Sequence, residues 1–281
     1  MSDMNLKEKT LSLIKKYSIT PKKELGQSFL INEQLAKRIV EWSNIDDLKV
    51  LEIGPGLGAL TELLALRAKI VYAVEIDPIL VKILREEVLR NFNNIVLVEA
   101  DFLKITPPSV DVVVSNIPYS IATPILFKLA RECIFERAIL TLQKELALRI
   151  ISKPGSRDYG RLTASLSVFF KPTLLSIVKR ENFYPEPDVD SAVIKLERYK
   201  PPFEIKDLDL YLKVVRALFT QRNKLLRKAL RLALDKLLDI KIDKTAYNDE
   251  RLKKYMSLRV KNLAPIDLAE ISNVIKEYIV K

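Results

Sequence analysis

The chain has 281 residues with 47 Lys and Arg against 36 Asp and Glu, which gives a net charge of +11. Its length allows one domain of about 200 residues and a smaller companion. The chain has no His and a single Cys, Cys133, which excludes an internal disulfide, a Cys/His metal site and a His-based catalytic triad.

The N-terminal segment, Met1 to Lys16, is charged and amphipathic and lacks the apolar core of a signal peptide. Elsewhere, uncharged stretches fall far short of the ~20 residues that a membrane-spanning helix needs. The sequence therefore predicts a cytoplasmic protein.

Seven strand-like runs alternate with helical patterns, and the first four are nearly continuous in Val, Ile and Leu, as in parallel strands covered on both faces. We expect helices in the intervals, for example at 61–67, 78–91 and 121–131. This alternation predicts an α/β fold with a doubly wound sheet in residues 1–199. The runs are 49–53, 70–75, 95–99, 111–115, 137–142, 174–179 and 191–197.

A glycine-rich loop follows the first strand, in the sequence Glu52-Ile-Gly-Pro-Gly-Leu-Gly58, and holds three of the six glycines in the chain. Such a tight turn lets the backbone approach a ligand closely. Glu75 ends the next strand, where a carboxylate can bind both hydroxyls of a ribose. Because Ala59 completes a Gly-x-Gly-x-x-Ala pattern, the loop alone fits either a dinucleotide or S-adenosylmethionine.

Two acidic residues favour S-adenosylmethionine. Glu52 directly precedes the loop, where a carboxylate suits an ammonium and a sulfonium better than a pyrophosphate. Asp101 follows the third strand, where it can accept a hydrogen bond from an adenine amino group. The alternative is that both are helix caps or surface acids.

The fourth strand leads into Asn116-Ile117-Pro118-Tyr119, which predicts chemistry on a planar exocyclic nitrogen. The Asn116 side-chain oxygen and a neighbouring backbone carbonyl can accept the two hydrogens of such a nitrogen, and Tyr119 can stack on the ring. The alternative is an ordinary strand-to-helix turn, with Pro fixing φ and a cap near Ser120.

The pattern changes at Pro201-Pro202, after which a small all-helical domain is predicted for 200–281, with helices at 207–234, 248–257 and 265–280. This part holds 19 Lys and Arg against 11 Asp and Glu, a net +8. On a helix at 207–234, six basic residues would face away from an apolar side, which indicates a polyanion partner, unless they form only a solvated face. They are Arg216, Arg222, Lys224, Arg227, Lys228 and Arg231.

Taken together, these segments resemble the KsgA group of ribosomal RNA adenine N6-dimethyltransferases, relatives of the Erm resistance methylases, on a Rossmann-like class I methyltransferase fold. The resemblance covers nearly the whole chain. It includes the loop at Glu52, the Asn116 tetrapeptide and five further segments: Lys22-Lys-Glu-Leu-Gly-Gln-Ser-Phe-Leu30, Gln143-Lys-Glu145, Tyr159-Gly-Arg-Leu162, Phe183-Tyr-Pro-Glu-Pro-x-Val-x-Ser191 and Phe219-Thr-Gln-Arg-Asn-Lys224.

The resemblance implies a cofactor, S-adenosyl-L-methionine, and a partner, the small-subunit rRNA in an immature ribosomal particle, with the protein a monomer that needs no metal. Ser28 stands where the family usually has Asn. Phe183, which by itself suggests core packing, becomes a second stacking residue. The implied cofactor-binding residues are Gln27, Ser28, Leu30, Gly54, Gly56, Glu75, Ile76, Asp101, Phe102 and Asn116. The catalytic set is Asn116, Ile117, Pro118, Tyr119 and Phe183, and the RNA-binding set is Lys22, Lys23, Arg222, Lys224, Arg227 and Lys228.

Four alternatives stay open at this point. They are an Erm-like 23S rRNA methylase, a DNA adenine methylase, which Ile117 disfavours, a catalytically silent assembly or transcription factor, and a nicotinamide oxidoreductase. The intact Asn116, Tyr119 and Glu75 speak against loss of activity.

Overall fold

The computed structural model describes residues 4–22, 25–237 and 243–279. Within these ranges, no helix has both the length and the apolar character needed to cross a membrane. The chain divides into two compact units. Unit 1 comprises Met1–Ala147 and Pro172–Arg198, and unit 2 comprises Leu148–Lys171 and Tyr199–Lys281.

The domain boundary predicted after residue 199 lies one residue from the junction of the two units at Arg198. The segment 148–171, in contrast, belongs to unit 2. What each unit binds stays a prediction.

Helices occupy the predicted intervals 61–67, 78–91 and 121–131 in unit 1. The α-helices are α1 (Leu6–Lys16), α2 (Glu33–Ser43), α3 (Thr61–Ala65), α4 (Pro78–Ile83), α5 (Ala122–Glu132), α6 (Lys144–Ile150), α7 (Arg161–Leu166), α8 (Leu208–Phe219), α9 (Leu226–Leu237), α10 (Glu250–Lys253) and α11 (Pro265–Glu277). A π-helical turn, Leu84–Val88, extends α4. Short 3₁₀ turns lie at Leu89–Asn91, Phe102–Lys104, Tyr119–Ile121, Arg180–Asn182, Lys244–Asn248 and Val260–Asn262.

The strands are β1 (Phe29–Leu30), β2 (Lys49–Ile53), β3 (Ile70–Glu75), β4 (Ile95–Glu99), β5 (Val112–Asn116), β6 (Arg137–Gln143), β7 (Phe170–Val178), β8 (Phe183–Tyr184) and β9 (Ser191–Arg198). Seven of them form one sheet in the order β4-β3-β2-β5-β6-β9-β7, and β1 pairs with β8 separately. The predicted doubly wound α/β fold is confirmed.

Parallel pairing dominates the sheet. β2 pairs in parallel with β3 and β5, β3 pairs with β4, and β5 pairs with β6, whereas β9 is antiparallel to β6. The central strands are buried on both faces, since Val50, Leu51 and Val112 to Val114 have no exposed surface. This burial explains their continuous apolar sequence. The strand order reverses beside β2, where doubly wound sheets bind ligands.

The prediction of one helix at 207–234 was wrong, because α8 and α9 are separate helices joined by a turn at 220–225. The basic residues of this region therefore do not share one helix face. The predicted helix at 248–257 is also shorter than expected, since only α10 and a preceding 3₁₀ turn form there.

The break between α8 and α9 has a physical cause in non-local backbone hydrogen bonds. Lys261 N donates to Arg222 O at 2.9 Å, and Val260 N donates to Lys224 O at 3.0 Å. Because these carbonyl groups accept from a distant segment of unit 2, the turn does not need helical partners. Periodicity in the local sequence carries no information about such a contact.

We expect Gly58→Ala to destabilise unit 1 more than Gly54→Ala. Both glycines have positive φ, which costs an alanine about 1–2 kcal/mol. A Cβ on Gly58 would also lie 2.7 Å from Val88 Cγ2, whereas one on Gly54 would meet only Pro118, at 3.7 Å. This overlap adds about 1–3 kcal/mol, measurable as the free energy of unfolding in urea. Equal losses in the two variants would contradict this account.

Candidate active site

A cavity opens where β2, β3, β4 and β5 end, and the N-terminal segment 25–30 contributes to its wall. All the predicted cofactor-binding residues line it: Gln27, Ser28, Leu30, Gly54, Gly56, Glu75, Ile76, Asp101, Phe102 and Asn116. Ile117, Pro118 and Tyr119 line it as well. The cavity thus brings together residues from several segments that are far apart in the sequence.

Glu75 is held in place at the end of β3 by backbone groups. Its carboxylate accepts hydrogen bonds from Gly56 N at 3.1 Å, Ile76 N at 2.9 Å and Asp77 N at 3.0 Å. Burial raises the pKa of Glu75, and the three N–H donors oppose that rise. The side chain is therefore oriented before any ligand binds.

Glu52 is the most desolvated acid of the cavity. Its side chain is 2% exposed, and its Oε2 atom is buried without a hydrogen-bond partner among the described residues. Burial raises the pKa of Glu52 to about 8. The nearby Thr61 hydroxyl opposes this rise, and the Glu75 carboxylate adds to it. A cation in the cavity would favour the ionised form of Glu52.

Asp101 both caps a turn and lines the cavity. Its Oδ1 accepts from Leu103 N at 2.9 Å at the start of a 3₁₀ turn, and the Lys104 ammonium lies 3.6 Å from Oδ2. The cap that the sequence left as an alternative is thus present. It does not exclude a ligand contact, because a carboxylate has further acceptor sites.

The N-terminal segment is tied to the cavity through Asp77. Lys22 Nζ lies 2.9 Å from Asp77 Oδ2, and Gln27 Nε2 donates to the same oxygen at 2.7 Å. Burial alone would raise the pKa of Asp77, but the hydrogen bonds from Lys22 and Gln27 lower it. Since the ammonium of Lys22 is paired with a buried acid, this geometry gives no support to the predicted RNA contact of Lys22. Lys23 lies outside the described residues.

The Asn116 side chain has a defined orientation at the end of β5. Its Nδ2 donates to the backbone carbonyl of Ser28 at 3.1 Å. Its Oδ1 accepts no hydrogen bond from the residues that the structure describes. Because the amide is fixed through its nitrogen, the oxygen is the atom left to accept from a ligand in the cavity.

The rest of the tetrapeptide forms the adjoining wall. Ile117 N donates to Thr141 O at 3.1 Å, which holds the loop on β6. Pro118 precedes the 3₁₀ turn that begins at Tyr119. The Tyr119 hydroxyl bonds with Ser191 Oγ, while its ring is half-buried beside the cavity. Burial raises the pKa of Tyr119.

Phe183 does not line the cavity. Its side chain is 1% exposed and packs in a core cluster with Leu30, Val178 and Val193. The expected second stacking ring is therefore a core residue in this structure, where Phe183 lies on β8 and is paired with Leu30 of β1. The following residue, Tyr184, is 40% exposed.

A basic surface on unit 2 is assembled from three segments. Lys224, Arg227 and Lys228 are exposed, as predicted, on the turn at 220–225 and the start of α9. Gly155 N donates to Lys261 O at 2.7 Å, which joins loop 152–161 to segment 258–261. We call the exposed cationic side chains of these segments the three-segment basic surface. Besides the predicted residues, it includes Lys153, Arg157, Arg161 and Arg259.

Arg222 has a partly structural role in this surface. Its Nη2 donates to the carbonyl of Arg157 at 2.8 Å, and its Nε is buried without a hydrogen-bond partner among the described residues. Sequence reasoning missed Lys153, Arg157 and Arg259 because they lie far along the chain from the basic residues at 216–231. Of the added residues, only Arg161 could have been found from the sequence, because it lies in Tyr159 to Leu162, one of the segments that resemble the family.

Comparisons with known proteins identify the family of this chain and agree with its fold. A family model described as ribosomal RNA adenine dimethylase matches residues 19–275. A probable ribosomal RNA small subunit methyltransferase A from Methanosarcina barkeri is 42% identical over 93% of this chain and 90% of its own length. The corresponding protein of Thermococcus sibiricus is 44% identical over 79% of this chain and 80% of its own length.

Two solved structures are similar over most of the chain. The dimethyladenosine transferase from Plasmodium falciparum has a TM-score of 0.76 and 29% identity, covering 86% of this chain and 95% of that one. The 23S rRNA methyltransferase ErmE has a TM-score of 0.65 and 32% identity, covering 88% of this chain and 99% of that one.

We expect the stability of the ligand-free protein to fall as the pH rises from about 4.5 towards 8, in part because of Glu52. The raised pKa of Glu52 means that the folded state binds this proton more tightly than the unfolded state. The stability that the protonated Glu52 provides is fully present below pH 4.5 and is lost as the pH passes through about 8. Each tenfold difference in proton affinity between the two states changes the free energy of unfolding by about 1.4 kcal/mol.

Urea unfolding of Glu52→Gln between pH 4 and 9 measures this contribution, because Gln has no proton to lose. Relative to wild type, the variant should gain stability as the pH rises. Glu181→Gln, which alters an exposed acid, is the matched control. Parallel curves for wild type and Glu52→Gln would contradict the assignment.

Proposed function

This chain belongs to the ribosomal RNA adenine dimethylase family of S-adenosylmethionine-dependent methyltransferases, and we propose that it dimethylates N6 of two adjacent adenosines near the 3′ end of small-subunit rRNA. It acts as a monomer in the cytoplasm, on an immature small ribosomal particle. The similarity to small-subunit methyltransferases over most of the chain supports this substrate.

The orientation of the Asn116 amide is the main observation that supports this proposal. Its nitrogen is held by Ser28 O, so its oxygen is available to a donor. The N6 amino group of adenine is such a donor, and its lone pair is delocalised into the ring. When Asn116 Oδ1 and the Ile117 carbonyl accept its two hydrogens, electron density returns to the nitrogen.

The cavity residues fit S-adenosylmethionine better than a dinucleotide. Glu52 and Glu75 are both nearly buried in the wall, and Asp101 lies at its edge. Buried carboxylates attract an ammonium or a sulfonium and repel a pyrophosphate. Glu75 would bind the ribose hydroxyls, Asp101 the adenine amino group, and Glu52 would supply the counter-charge for the cationic groups.

The protein contributes mainly alignment, because the bound donor supplies a methyl group already activated by its positive sulfur. Good orientation is worth up to about 7–11 kcal/mol in favourable systems, whereas one hydrogen bond contributes about 1 kcal/mol net. Tyr119 would stack on the flipped adenine and contribute about 1–3 kcal/mol. Pro118 would shape the loop that presents both groups.

The three-segment basic surface is the proposed contact for the RNA backbone. Lys224, Arg227 and Lys228 are its exposed predicted members, and Lys153, Arg157, Arg161 and Arg259 extend it. Cations on one surface release counterions when they neutralise phosphates. Such contacts would position the RNA, while the cavity would select the base.

Methyl transfer with a labelled donor tests the function. Immature small-subunit particles, 23S rRNA and an adenine-containing DNA duplex are incubated separately with the protein, and the products are digested and analysed as nucleosides. We expect N6,N6-dimethyladenosine in small-subunit rRNA alone. Label in 23S rRNA instead would favour the Erm-like alternative, and no transfer to any substrate would favour a silent factor.

Asn116→Ala and Glu75→Ala should affect different steps. Loss of the Asn116 oxygen should lower kcat by about 10²–10³-fold while keeping most of the affinity for S-adenosylmethionine. Loss of the Glu75 carboxylate should chiefly raise the dissociation constant of the cofactor. Single-turnover kinetics and calorimetry separate the two effects, and Asn91→Ala is an exposed control. Equal kcat in Asn116→Ala and wild type would remove Asn116 from the catalytic set.

Replacing Lys224, Arg227 and Lys228 together by Gln should weaken RNA binding and flatten its dependence on salt. With about 0.7–0.9 counterions released for each phosphate contact, the slope of log K against log salt should fall by about two to three. Replacing Lys37, Lys69 and Lys82 by Gln removes the same charge from exposed positions of unit 1. If both triple variants change the slope equally, only net charge matters and the surface assignment is wrong.

A further inference from the structure

A buried serine lies behind the proposed stacking ring. Ser191 has no exposed surface, and its Oγ lies 2.5 Å from the hydroxyl of Tyr119. The two residues are 72 positions apart in the chain. Ser191 lies in none of the proposed cofactor-binding, catalytic or RNA-binding sets.

The sheet explains how Ser191 reaches the active-site edge. β5 and β6 are parallel, so Asn116 and Gln143 lie near the same ends of their strands. β9 is antiparallel to β6, and its first residue, Ser191, is paired with Gln143. Because an antiparallel strand begins where its parallel neighbours end, β9 starts at the edge where the catalytic loop lies.

The hydroxyl of Tyr119 has no necessary part in stacking, since the ring of a phenylalanine presents the same face to a base. A hydrogen bond at the far end of the ring, however, fixes the ring against rotation about its side-chain bonds. Burial raises the pKa of Tyr119, which keeps the phenol neutral and able to donate. Ser191, itself held in the sheet, gives this bond a rigid anchor.

The segment that leads into β9 also supports Asn116. Ser28 Oγ donates to the carbonyl of Pro185 at 2.8 Å, and the carbonyl of Ser28 accepts from Asn116 Nδ2 at 3.1 Å. Residues 185–191 therefore hold the Tyr119 side chain directly, through Ser191, and the Asn116 side chain indirectly, through Ser28. Both groups are oriented from the same stretch of chain.

We propose that Ser191 is a positioning residue that holds the Tyr119 ring in the orientation needed to stack on the target adenine. This assignment rests on the proposed function. It gives a role to the last residue of the segment Phe183 to Ser191, which the sequence singled out only by resemblance.

A double-mutant cycle tests the assignment, with Ser191→Ala, Tyr119→Phe and the double variant. Each single variant removes the same hydrogen bond from a different side, so each should lower kcat about fivefold to tenfold. In the Tyr119→Phe background, Ser191→Ala should change kcat less than twofold. The dissociation constant of S-adenosylmethionine should stay within twofold of wild type in all three variants.

The control is Ser43→Ala, because Ser43 is another buried serine, whose hydroxyl donates to Val40 O at 2.7 Å. The kcat of Ser43→Ala should match that of the wild-type protein. If the Ser191→Ala and Tyr119→Phe losses multiply in the double variant, or if Ser191→Ala retains wild-type kcat, the assignment is overturned while the proposed function stands. If wild-type protein transfers no methyl group to small-subunit rRNA, the proposed function and this assignment are both overturned.

Discussion

The parallel pairing of β2, β3, β4 and β5 is the constraint on which the site depends. Parallel strands end at one edge of a sheet, so residues that follow four separate strands meet there without being close in sequence. Glu75 and Asn116 end β3 and β5, Asp101 follows β4, and all three line one cavity. The antiparallel β9 adds Ser191 to the same edge because it runs in the opposite direction.

Desolvation of acids links the stability of unit 1 to ligand binding. Among the residues that the structure describes, the buried Glu52 Oε2 atom has no hydrogen-bond partner, and Glu75 accepts from backbone N–H groups rather than from a basic side chain. Asp77 differs, because Lys22 and Gln27 satisfy it. Glu52 lines the cavity, where a cationic ligand can stabilise its ionised form. Buried polar atoms without a partner are more often found at functional sites than elsewhere in a fold.

The sequence was sufficient to predict strands 49–53, 70–75 and 95–99 to the residue, because continuous apolar runs bounded by turns have few alternative structures. Glu75, Asp101 and Asn116 were predictable for the same reason, since each lies at or just beyond the end of a strand. The contribution of Gln27, Ser28 and Leu30 was implied only by the resemblance. Tertiary partners were not predictable in this way. The pairing of Lys22 with Asp77 and the burial of Phe183 depend on contacts between segments far apart in the chain.

The basic region at 207–234 shows the same limit of prediction from sequence. Apolar and basic residues at 207–234 follow helical spacing, yet the backbone breaks at 220–225. Nothing in that stretch signals that Arg222 and Lys224 will accept hydrogen bonds from segment 258–261. The sequence therefore predicted which residues are basic and exposed, but not the surface that they share with Arg157 and Arg259.

The hydrogen bonds between turn 220–225 and segment 258–261 also affect when this part of the chain can fold during synthesis. A nascent chain can complete the sheet of unit 1 once residue 198 has left the ribosomal tunnel. The turn at 220–225 cannot take its final shape until some 60 further residues have been synthesised, because its backbone partners lie at 258–261. During translation, every segment that lines the cavity is thus synthesised before the three-segment basic surface can be completed.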